Sequence, residues 1–542
     1  MRRLIATALA LAFAAASAAE APIPALRTQG STKQLIVDGK PFLVLGGELY
    51  NSSASSLPYL KALWPQLKAV GLNTILAPVE WDQVEPAEGK FDFTVLDGML
   101  RQARANDTRL VLLWFGAWKN SMSTYVPAWV KKDNERFPRA RNKAGEAQEI
   151  LTPFGANTLA ADKAAFAALM RHLRQADPQR TVLMVQVENE IGMLPDVRDF
   201  SPLANAALQQ QVPAALPQYL QANRARLHPY VRDLWEANGA RSGGTWSEVF
   251  GTSIEAQEVF QAWHYATFAE VLTAAGKAQY PLPMFVNVAL NRPGRKPGEY
   301  PSAGPLPHLF DVWKAAGPSI DIIAIDTYFP NFTHWARQFK RPDNPLFVPE
   351  ANRAGRADLG ANAFWAIGEL DAIGFSPFAI ENIRDAKADV LPAAYLLLKN
   401  LAPQILAAQG QGGMRGFRPD VSYDGVVETK NVQATLGGYQ LDVSFANQWG
   451  KTESAEYDSR GGLAIQIGAD EFLIAGRGLT VVFRDAAGRD GVGLEKVIEG
   501  TFVDGRWQDG RWLNGDETHQ GRHIRLPGDA FTVQKVKLYR YR

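Results

Sequence analysis

The strongest constraint on the fold is a short apolar run that ends abruptly in polar residues. Residues 183–192 read LMVQVENEIG, which is β-branched and apolar first, then polar, then glycine. A buried strand of a parallel barrel has this composition, and its carboxyl end carries side chains that face the barrel mouth. Because side chains alternate along a strand, Gln186, Glu188 and Glu190 are predicted to share one face. Isolated carboxylates are costly to bury, so this face indicates a functional site.

A second run with the same design follows later in the chain. Residues 346–352 read LFVPEAN, a short apolar strand that ends at Glu350. The intervening chain is long enough for three further βα units, so Glu190 and Glu350 are predicted on the fourth and seventh strands of one barrel. Both side chains would then point into the same mouth.

Eight apolar runs alternate with segments of helical spacing, which predicts a (β/α)₈ barrel, an α/β fold. From residue 194 to about residue 260 the chain has helical patterns without a strand, which indicates an insertion on the carboxyl face of the barrel. The eight predicted strands are 42–47, 73–79, 110–115, 183–192, 284–288, 320–328, 346–352 and 375–380.

The pattern changes after the barrel. A helix at 392–408 is predicted to close a catalytic domain of residues 19–408, and the glycine-rich residues 409–413 read as a linker. Residues 414–542 are predicted to form an antiparallel β-sandwich, because short alternating runs are separated by glycine and aspartate. Its predicted strands are 440–445, 463–467, 471–475, 479–484, 495–502 and 533–540.

The first 18 residues have the features of a secretory signal peptide. Two arginines precede an apolar run, and Ala16-Ser-Ala18 supplies a small-residue cleavage site. We therefore expect a mature terminus near Ala19 and a periplasmic or secreted protein. The apolar run is too short for a membrane span, and no later span is predicted. The chain contains no cysteine, so disulfides do not stabilise it.

Composition and motifs narrow the partners. A formal charge of +1 gives no sign of nucleic acid as a partner and favours a neutral substrate. The seven histidines are scattered and no HExxH motif is present, so no metal site is predicted. No glycine-rich phosphate loop follows a strand, and no cofactor is expected.

Several segments resemble glycoside hydrolase family 35, the β-galactosidases, within the clan of retaining barrel glycosidases. Residues 186–192 (QVENEIG) resemble the acid/base segment of that family, and the resemblance spans about residues 35–400. Residues 67–73 (LKAVGLN) and 91–93 (FDF) resemble its second-strand region, and 127–129 (PAW) its segment after strand three. Typical members have a tyrosine and an Ala-Glu-Trp motif where this chain has APVEW at 77–81 and AWKN at 117–120. The chain looks more like a divergent bacterial branch associated with plant cell-wall galactosides such as xyloglucan.

The resemblance implies a retaining, two-glutamate double displacement. Glu350 would be the nucleophile and Glu190 the general acid/base, with a raised pKa. Glu188 is interpreted as a buried partner for an arginine or lysine. The predicted substrate-binding residues are Asn189 for the sugar 2-hydroxyl, Tyr328 beside the nucleophile, Glu80 and Asn287 for other hydroxyls, and Trp81, Trp118, Trp246 and Trp263 as stacking platforms.

The predicted reaction is exo-acting hydrolysis of terminal β-galactosyl residues from an oligo- or polysaccharide. Two alternatives remain open at this point. One is another glycosidase of the same clan, namely a β-glucosidase or an endo-acting glucanase or mannanase. The other is a non-catalytic carbohydrate-binding protein on a glycosidase scaffold. Retention of a glutamate at both strand ends argues against the second alternative.

Overall fold

The computed structural model describes residues 21–447, 453–503 and 505–542. The predicted signal peptide, residues 1–18, and the predicted mature terminus at Ala19 lie outside the described residues. A small antiparallel sheet precedes the barrel, and its strands are Ala25–Gln29, Thr32–Val37 and Lys40–Phe42.

The predicted parallel barrel is confirmed. Its strands pair in sequence order from the first to the sixth, and the eighth strand pairs with both the first and the seventh. The circle is closed where Asp326 pairs with Glu350 and Thr327 with Ala351. The eight strands are Val44–Glu48, Thr74–Glu80, Arg109–Lys119, Val182–Asn189, Met284–Val286, Ile322–Ile323 with Asp326–Thr327, Phe347–Val348 with Glu350–Ala351, and Gly374–Phe375.

Apolar side chains fill the barrel interior below the mouth. Leu113, Leu183, Phe285 and Phe347 are fully buried in one cluster that also takes in Leu35 of the small N-terminal sheet. Burial of such side chains contributes about 1.5–3 kcal/mol each relative to exposure. The barrel is therefore a packed core, and only the carboxyl ends of its strands are available to form a site.

Helices surround the strands, and their apolar faces pack against the barrel. Leu57–Val70 illustrates the local rules, because the Ser56 side chain accepts the N–H of Tyr59 at its start and Gly71 has a left-handed φ of 82° at its end. The principal helices are Leu57–Val70, Thr94–Ala105, Ala156–Ala176, Ile254–Gln279, Phe310–Ala316, Phe332–Phe339, Leu359–Leu370 and Val390–Ala408.

The segment after the fourth strand is helical. Between Asn189 and the helix Ile254–Gln279 the chain forms Pro202–Leu208, Ala215–Asn223, Pro229–Ala237 and Trp246–Phe250, with a 3-10 turn at Arg224–Arg226. A two-stranded sheet of Arg139–Arg141 and Ala147–Leu151 lies against its start, since Arg141 N donates to Asp199 Oδ1 over 2.9 Å.

The helix Val390–Ala408 is long and apolar enough to cross a membrane by those two criteria alone. In this fold it packs against the barrel. Tyr395 is fully buried, and its hydroxyl donates to the carbonyls of Gly46 and Phe375, in the first and eighth strands. These contacts make it a core helix of the barrel domain.

The predicted C-terminal sandwich is also confirmed. A six-stranded sheet has the order Met414–Phe417, Gly461–Gln466, Glu471–Arg477, Thr532–Tyr541, Gly491–Val503, Arg506–Trp512. A four-stranded sheet has the order Val432–Leu436, Tyr439–Ser444, Thr480–Asp485, Ile524–Arg525. Tyr439, Phe472 and Val536 belong to the core between them. The sequence analysis missed the strands at 414–417, 432–436, 506–512 and 524–525, which are short or largely exposed.

The sandwich packs mainly on one helix of the barrel domain, Leu359–Leu370. Phe364 and Phe531 stack with ring centroids 5.3 Å apart. Gly416 and Gly461 lie against the helix so closely that an added Cβ would meet it within 3 Å. This contact explains why the helix is buried on nearly every side.

Candidate active site

Four buried carboxyl groups meet at the carboxyl ends of the barrel strands. Glu48 ends the first strand, Glu190 follows the fourth, Asp326 lies in the sixth and Glu350 in the seventh. Each is at most 6% exposed. One carboxylate oxygen from each of Glu190, Asp326 and Glu350 lies within 4.8 Å of the other two. We call these four residues the carboxyl cluster.

The end of the fourth strand leaves regular geometry. Glu188 and Glu190 have φ values of 62° and 45°, in the left-handed region that residues other than glycine seldom adopt. Such conformations persist only when surrounding contacts impose them, and they concentrate at functional sites. Here they break the alternation of the strand, so Glu188 and Glu190 do not face the same way.

The prediction for Glu188 is therefore wrong. Its Oε2 accepts the backbone N–H of Trp118 over 2.9 Å, and its carboxyl group meets that of Asp162, in the helix Ala156–Ala176. Asp162 in turn accepts the indole N–H of Trp114 over 2.9 Å. Burial, and then the charge of Asp162, raise the pKa of Glu188 well above its usual range. The partner is another carboxyl group and not a basic side chain.

Glu190 has the electrostatic surroundings of a proton donor. Burial, and then the negative charge of Glu350, raise its pKa to about 7, while Lys119 opposes the shift. Its backbone N–H donates to Asn287 Oδ1 over 2.9 Å. A carboxylic acid with this pKa keeps its proton at near-neutral pH and can still release it.

The Tyr328 hydroxyl donates a hydrogen bond to Glu350 Oε1, as the sequence predicted for this tyrosine. Burial and the charge of Glu350 raise the pKa of Tyr328 above its ordinary value, so the phenol remains a neutral donor. The side chain of Glu48 also contacts Glu350. Burial, followed by the charge of Glu350, raises the pKa of Glu48, and Lys119 opposes the shift.

Asn287 and Asp326 form a buried bridge between strands. Asn287 Nδ2 donates to Asp326 Oδ2 over 2.5 Å while its oxygen accepts from Glu190. Burial and the charges of Glu350, Glu190 and Glu48 raise the pKa of Asp326. Asn287 therefore orients two members of the carboxyl cluster, and the direct sugar contact predicted for it stays a prediction.

Buried polar atoms in this mouth lack protein partners. Within the described part of the chain, Glu48 Oε1, Asn189 Nδ2 and Asp326 Oδ1 have no hydrogen bond. Leaving a buried donor or acceptor unsatisfied costs about 1–3 kcal/mol. A ligand rich in hydroxyl groups both donates and accepts, so it would satisfy all three atoms.

The predicted tryptophan platforms are corrected by the structure. Trp81 and Trp118 are fully buried, and their indole N–H groups donate to Glu85 Oε2 and to the carbonyl of Leu151. Trp246 and Trp263 are also buried, at 3% and 7% exposure. Trp81, Trp118 and Trp246 also pack on other aromatic rings, and indoles buried to this extent present no open face to a sugar.

The exposed aromatic rings at the mouth are different ones. Tyr50 and Tyr328 are 38% and 40% exposed, and both pack edge-on against Phe378, at centroid distances of 5.4 and 6.4 Å. Because Tyr328 binds Glu350, this group lies beside the carboxyl cluster. The sequence analysis did not select Tyr50 or Phe378.

Glu80 is separate from the carboxyl cluster in its contacts. It accepts a hydrogen bond from Gln83 and lines a different cavity, with Ser55 and Met99. Burial, and then the charge of Asp82, raise its pKa to about 7. The structure therefore does not bring Glu80 to the sugar site predicted for it.

Comparisons with known proteins agree with the barrel site. Residues 34–226, which include Glu190, match the family described as Glycosyl hydrolases family 35, and residues 391–525 match a Domain of unknown function (DUF5597). The resemblance to family 35 is thus confirmed over residues 34–226. The chain is similar to a Beta-galactosidase of Xanthomonas manihotis, 29% identical over 198 residues, which are 35% of this chain and 30% of that protein.

A second relative is Beta-galactosidase-1-like protein 3 of Homo sapiens, 30% identical over 178 residues, which are 32% of this chain and 25% of that protein. The matched segment spans less than a third of each curated relative. Among solved structures, a beta-galactosidase from the psychrophilic Marinomonas ef1 aligns with a TM-score of 0.46 and 11% identity, over 70% of this chain and 62% of that one. The catalytic domain of a Paenibacillus polymyxa beta-amylase aligns with a TM-score of 0.44 and 13% identity, over 64% and 94%.

Proposed function

We propose that the family 35 segment and the carboxyl cluster belong to a retaining, exo-acting β-galactosidase that uses Glu350 as nucleophile and Glu190 as general acid/base. The observation that carries the proposal is the pair of glutamate oxygens within 4.8 Å of each other. Retaining glycosidases have carboxyl groups about 5–5.5 Å apart, whereas inverting enzymes need about 6.5–9.5 Å to admit a water. The spacing favours direct attack by a carboxylate.

In the first step, Glu350 attacks the anomeric carbon and the bond to the departing oxygen breaks. Glu190 gives its proton to that oxygen, so the leaving group departs as an alcohol. The Tyr328 hydroxyl donates to one oxygen of Glu350 and so orients the carboxylate. The pKa of about 7 for Glu190 keeps the acid protonated at the pH where Glu350 must be ionised.

In the second step, Glu190 changes its role from acid to base. Once Glu350 is esterified by the sugar, its negative charge is gone, and one of the two main causes of the raised pKa of Glu190 disappears. The ionised Glu190 then takes a proton from water, which attacks the anomeric carbon and restores Glu350. A single pair of glutamates thus serves both half-reactions.

The substrate is proposed as a terminal β-galactoside on an oligo- or polysaccharide, with plant cell-wall xyloglucan as one candidate. Support comes from the names of the two matched relatives and from the buried atoms that suit sugar hydroxyls. The exo mode rests on the helices between residues 194 and 260, which would wall the mouth. A periplasmic or secreted location, by way of residues 1–18, belongs to the same proposal.

The experiment compares nitrophenol release from β-galactoside, β-glucoside and β-mannoside substrates by the full chain. We expect the galactoside to have the highest kcat/KM. A preference for the glucoside or mannoside would overturn the sugar assignment, and no release from any of them would favour the non-catalytic alternative. Digestion of xyloglucan, galactan and lactose in parallel, with identification of the released sugar, would then define the natural substrate.

A further inference from the structure

Lys119 is a buried cation that the proposed mechanism does not use. It ends the third strand, is 5% exposed, and its Nζ donates to Asn189 Oδ1 over 2.7 Å. It influences the pKa of both Glu190 and Glu48 by charge. A lysine that acts by charge on two of the four carboxyl groups, with a neutral amide as its hydrogen-bond acceptor, requires an explanation.

The residues after the third strand hold the Asn189–Glu190 segment at three points. Besides the lysine contact, Asn120 N donates to Asn189 O over 3.3 Å and Ser121 Oγ donates to Glu190 O over 3.0 Å. Asn120 and Ser121 both have positive φ values, 56° and 60°, so this turn is held in an uncommon conformation. The segment that carries the proposed acid is therefore clamped by the third strand.

The lysine contact also fixes which way the amide of Asn189 faces. An ammonium group can only donate, so it must meet the amide oxygen and not the NH₂ group. The NH₂ group is then directed elsewhere, and Nδ2 is buried without a partner within the described ranges. Lys119 therefore occupies the amide oxygen, and the NH₂ group of Asn189 is left as an unused donor.

We propose that Lys119 is a positioning residue that locks the Asn189 amide with its NH₂ group toward the substrate, where it donates to the 2-hydroxyl of the bound sugar. This inference rests on the proposed function, because it requires a sugar in the mouth. The hydrogen bond from Asn189 to this hydroxyl would stabilise the transition state more than the bound substrate, because hydrogen bonds to the 2-hydroxyl strengthen in the transition state. Lys119 acts through Asn189 and needs no contact with the substrate itself.

The test compares Lys119→Met with the wild-type chain on nitrophenyl β-galactoside and on its 2-deoxy analogue. We expect kcat/KM for the galactoside to fall about 10- to 100-fold, the range of one charge-assisted hydrogen bond. For the 2-deoxy substrate the ratio of variant to wild type should stay within about threefold, because the hydroxyl that Asn189 serves is absent. An equal loss on both substrates would overturn the proposal.

A double-mutant cycle separates positioning from general damage. If Lys119 acts through Asn189, adding Lys119→Met to Asn189→Ala should change kcat/KM little, whereas independent roles would give multiplied losses. Lys314→Met is the matched control. Lys314 is also a partly buried lysine with a neutral acceptor, but this acceptor is the carbonyl of Asp343, which does not belong to the carboxyl cluster. It should leave both substrate ratios unchanged.

The pH profile of kcat/KM gives a further test, because removal of a lysine with a purely structural role would not shift this profile. The titratable groups that face Glu190 are Glu48, Asp326, Glu350 and Lys119, and the positive charge of Lys119 lowers its pKa whereas the negative charge of Glu350 raises it. Lys119→Met should therefore shift the basic limb of kcat/KM toward higher pH. A shift toward lower pH would contradict the proposal. Absence of any wild-type activity on the galactoside would refute the proposed function, whereas an active wild type with equal losses on both substrates refutes only this inference.

Discussion

Glu188 and Glu190 lie two residues apart, yet they belong to two separate sets of carboxyl side chains with different surroundings. Glu188 and Asp162 are enclosed by protein donors, namely the backbone N–H groups of Trp118 and Ala117 and the indole of Trp114. Glu190 lies in the carboxyl cluster, where buried polar atoms lack partners in the described chain. Both groups are buried with a raised pKa, and one oxygen of Glu188 also lacks a hydrogen bond in the described chain. The groups differ in their neighbours, because Glu188 and Asp162 accept three N–H donors whereas Glu190 lies among other carboxyl groups.

The largest expected difference is between Glu350→Ala and Glu188→Ala. If Glu350 is the nucleophile, no glycosyl-enzyme forms without it, so activity should fall by about 10⁴-fold or more on every substrate. Glu188→Ala should keep kcat within about tenfold but lose about 1–3 kcal/mol of unfolding free energy, because Asp162 is left buried without its partner. Steady-state kinetics and urea unfolding of both variants measure this. Equal losses of activity in Glu350→Ala and Glu188→Ala would contradict the assignment of different roles to the two groups.

Glu190→Ala should show a loss that depends on the leaving group. Without the acid, kcat/KM for natural galactosides should fall about 10²- to 10⁴-fold, because no proton reaches the departing oxygen. Dinitrophenyl galactosides need no such proton, so their attack should remain fast. A series of aryl galactosides with increasing leaving-group pKa measures the dependence. A uniform loss across the series would remove Glu190 from the acid role.

Glu48 extends the comparison to a second member of the carboxyl cluster. Its carboxyl contacts Glu350 and its pKa is raised by burial, so at neutral pH it can donate to the nucleophile. Glu48→Gln keeps a neutral donor and should retain most activity. Glu48→Ala should lower kcat/KM about tenfold, since Glu350 loses a donor. Matching kcat/KM values for the two variants would contradict this role.

The smallest expected effect concerns stability. The folded pKa of about 7 for Glu190 lies above its unfolded value, so the folded state binds the proton more tightly. The stability that this proton contributes is fully present below the unfolded pKa and is lost as pH rises toward 7. The wild-type chain should therefore lose on the order of 2 kcal/mol of unfolding free energy between pH 5 and pH 8, and Glu190→Gln should not show this loss. Urea unfolding at both pH values checks the sign, and an unchanged pH dependence would contradict it.

The barrel could be predicted because eight strand-length apolar runs alternate with helical spacing, and this periodicity is local. Glu350 and Glu190 could be found because each follows such a run directly. Glu48, Asp326 and Lys119 occupy equivalent strand ends, but a single polar residue there is compatible with a solvated end. Only the closure of the barrel shows that their side chains converge.

The orientation of Glu188 and the places of the tryptophans could not be predicted for a different reason. Alternation assigns Glu188 and Glu190 to one face unless the backbone enters the left-handed region, and neither residue is a glycine that would signal this. Trp81 and Trp118 lie next to strand ends in sequence, yet their rings pack beneath the helices. Long side chains choose their side of the barrel by packing, which sequence spacing does not reveal.

The most direct test of the paired roles is the anomer formed when azide rescues each alanine variant. From Glu190→Ala the intact nucleophile still forms the glycosyl-enzyme, so azide should give β-galactosyl azide with retention. From Glu350→Ala azide should fill the space of the missing carboxylate and displace the leaving group directly, which gives α-galactosyl azide. Nuclear magnetic resonance of the two products distinguishes the anomers. Opposite anomers are the predicted result, and the same anomer from both variants would contradict the assignment of Glu350 and Glu190.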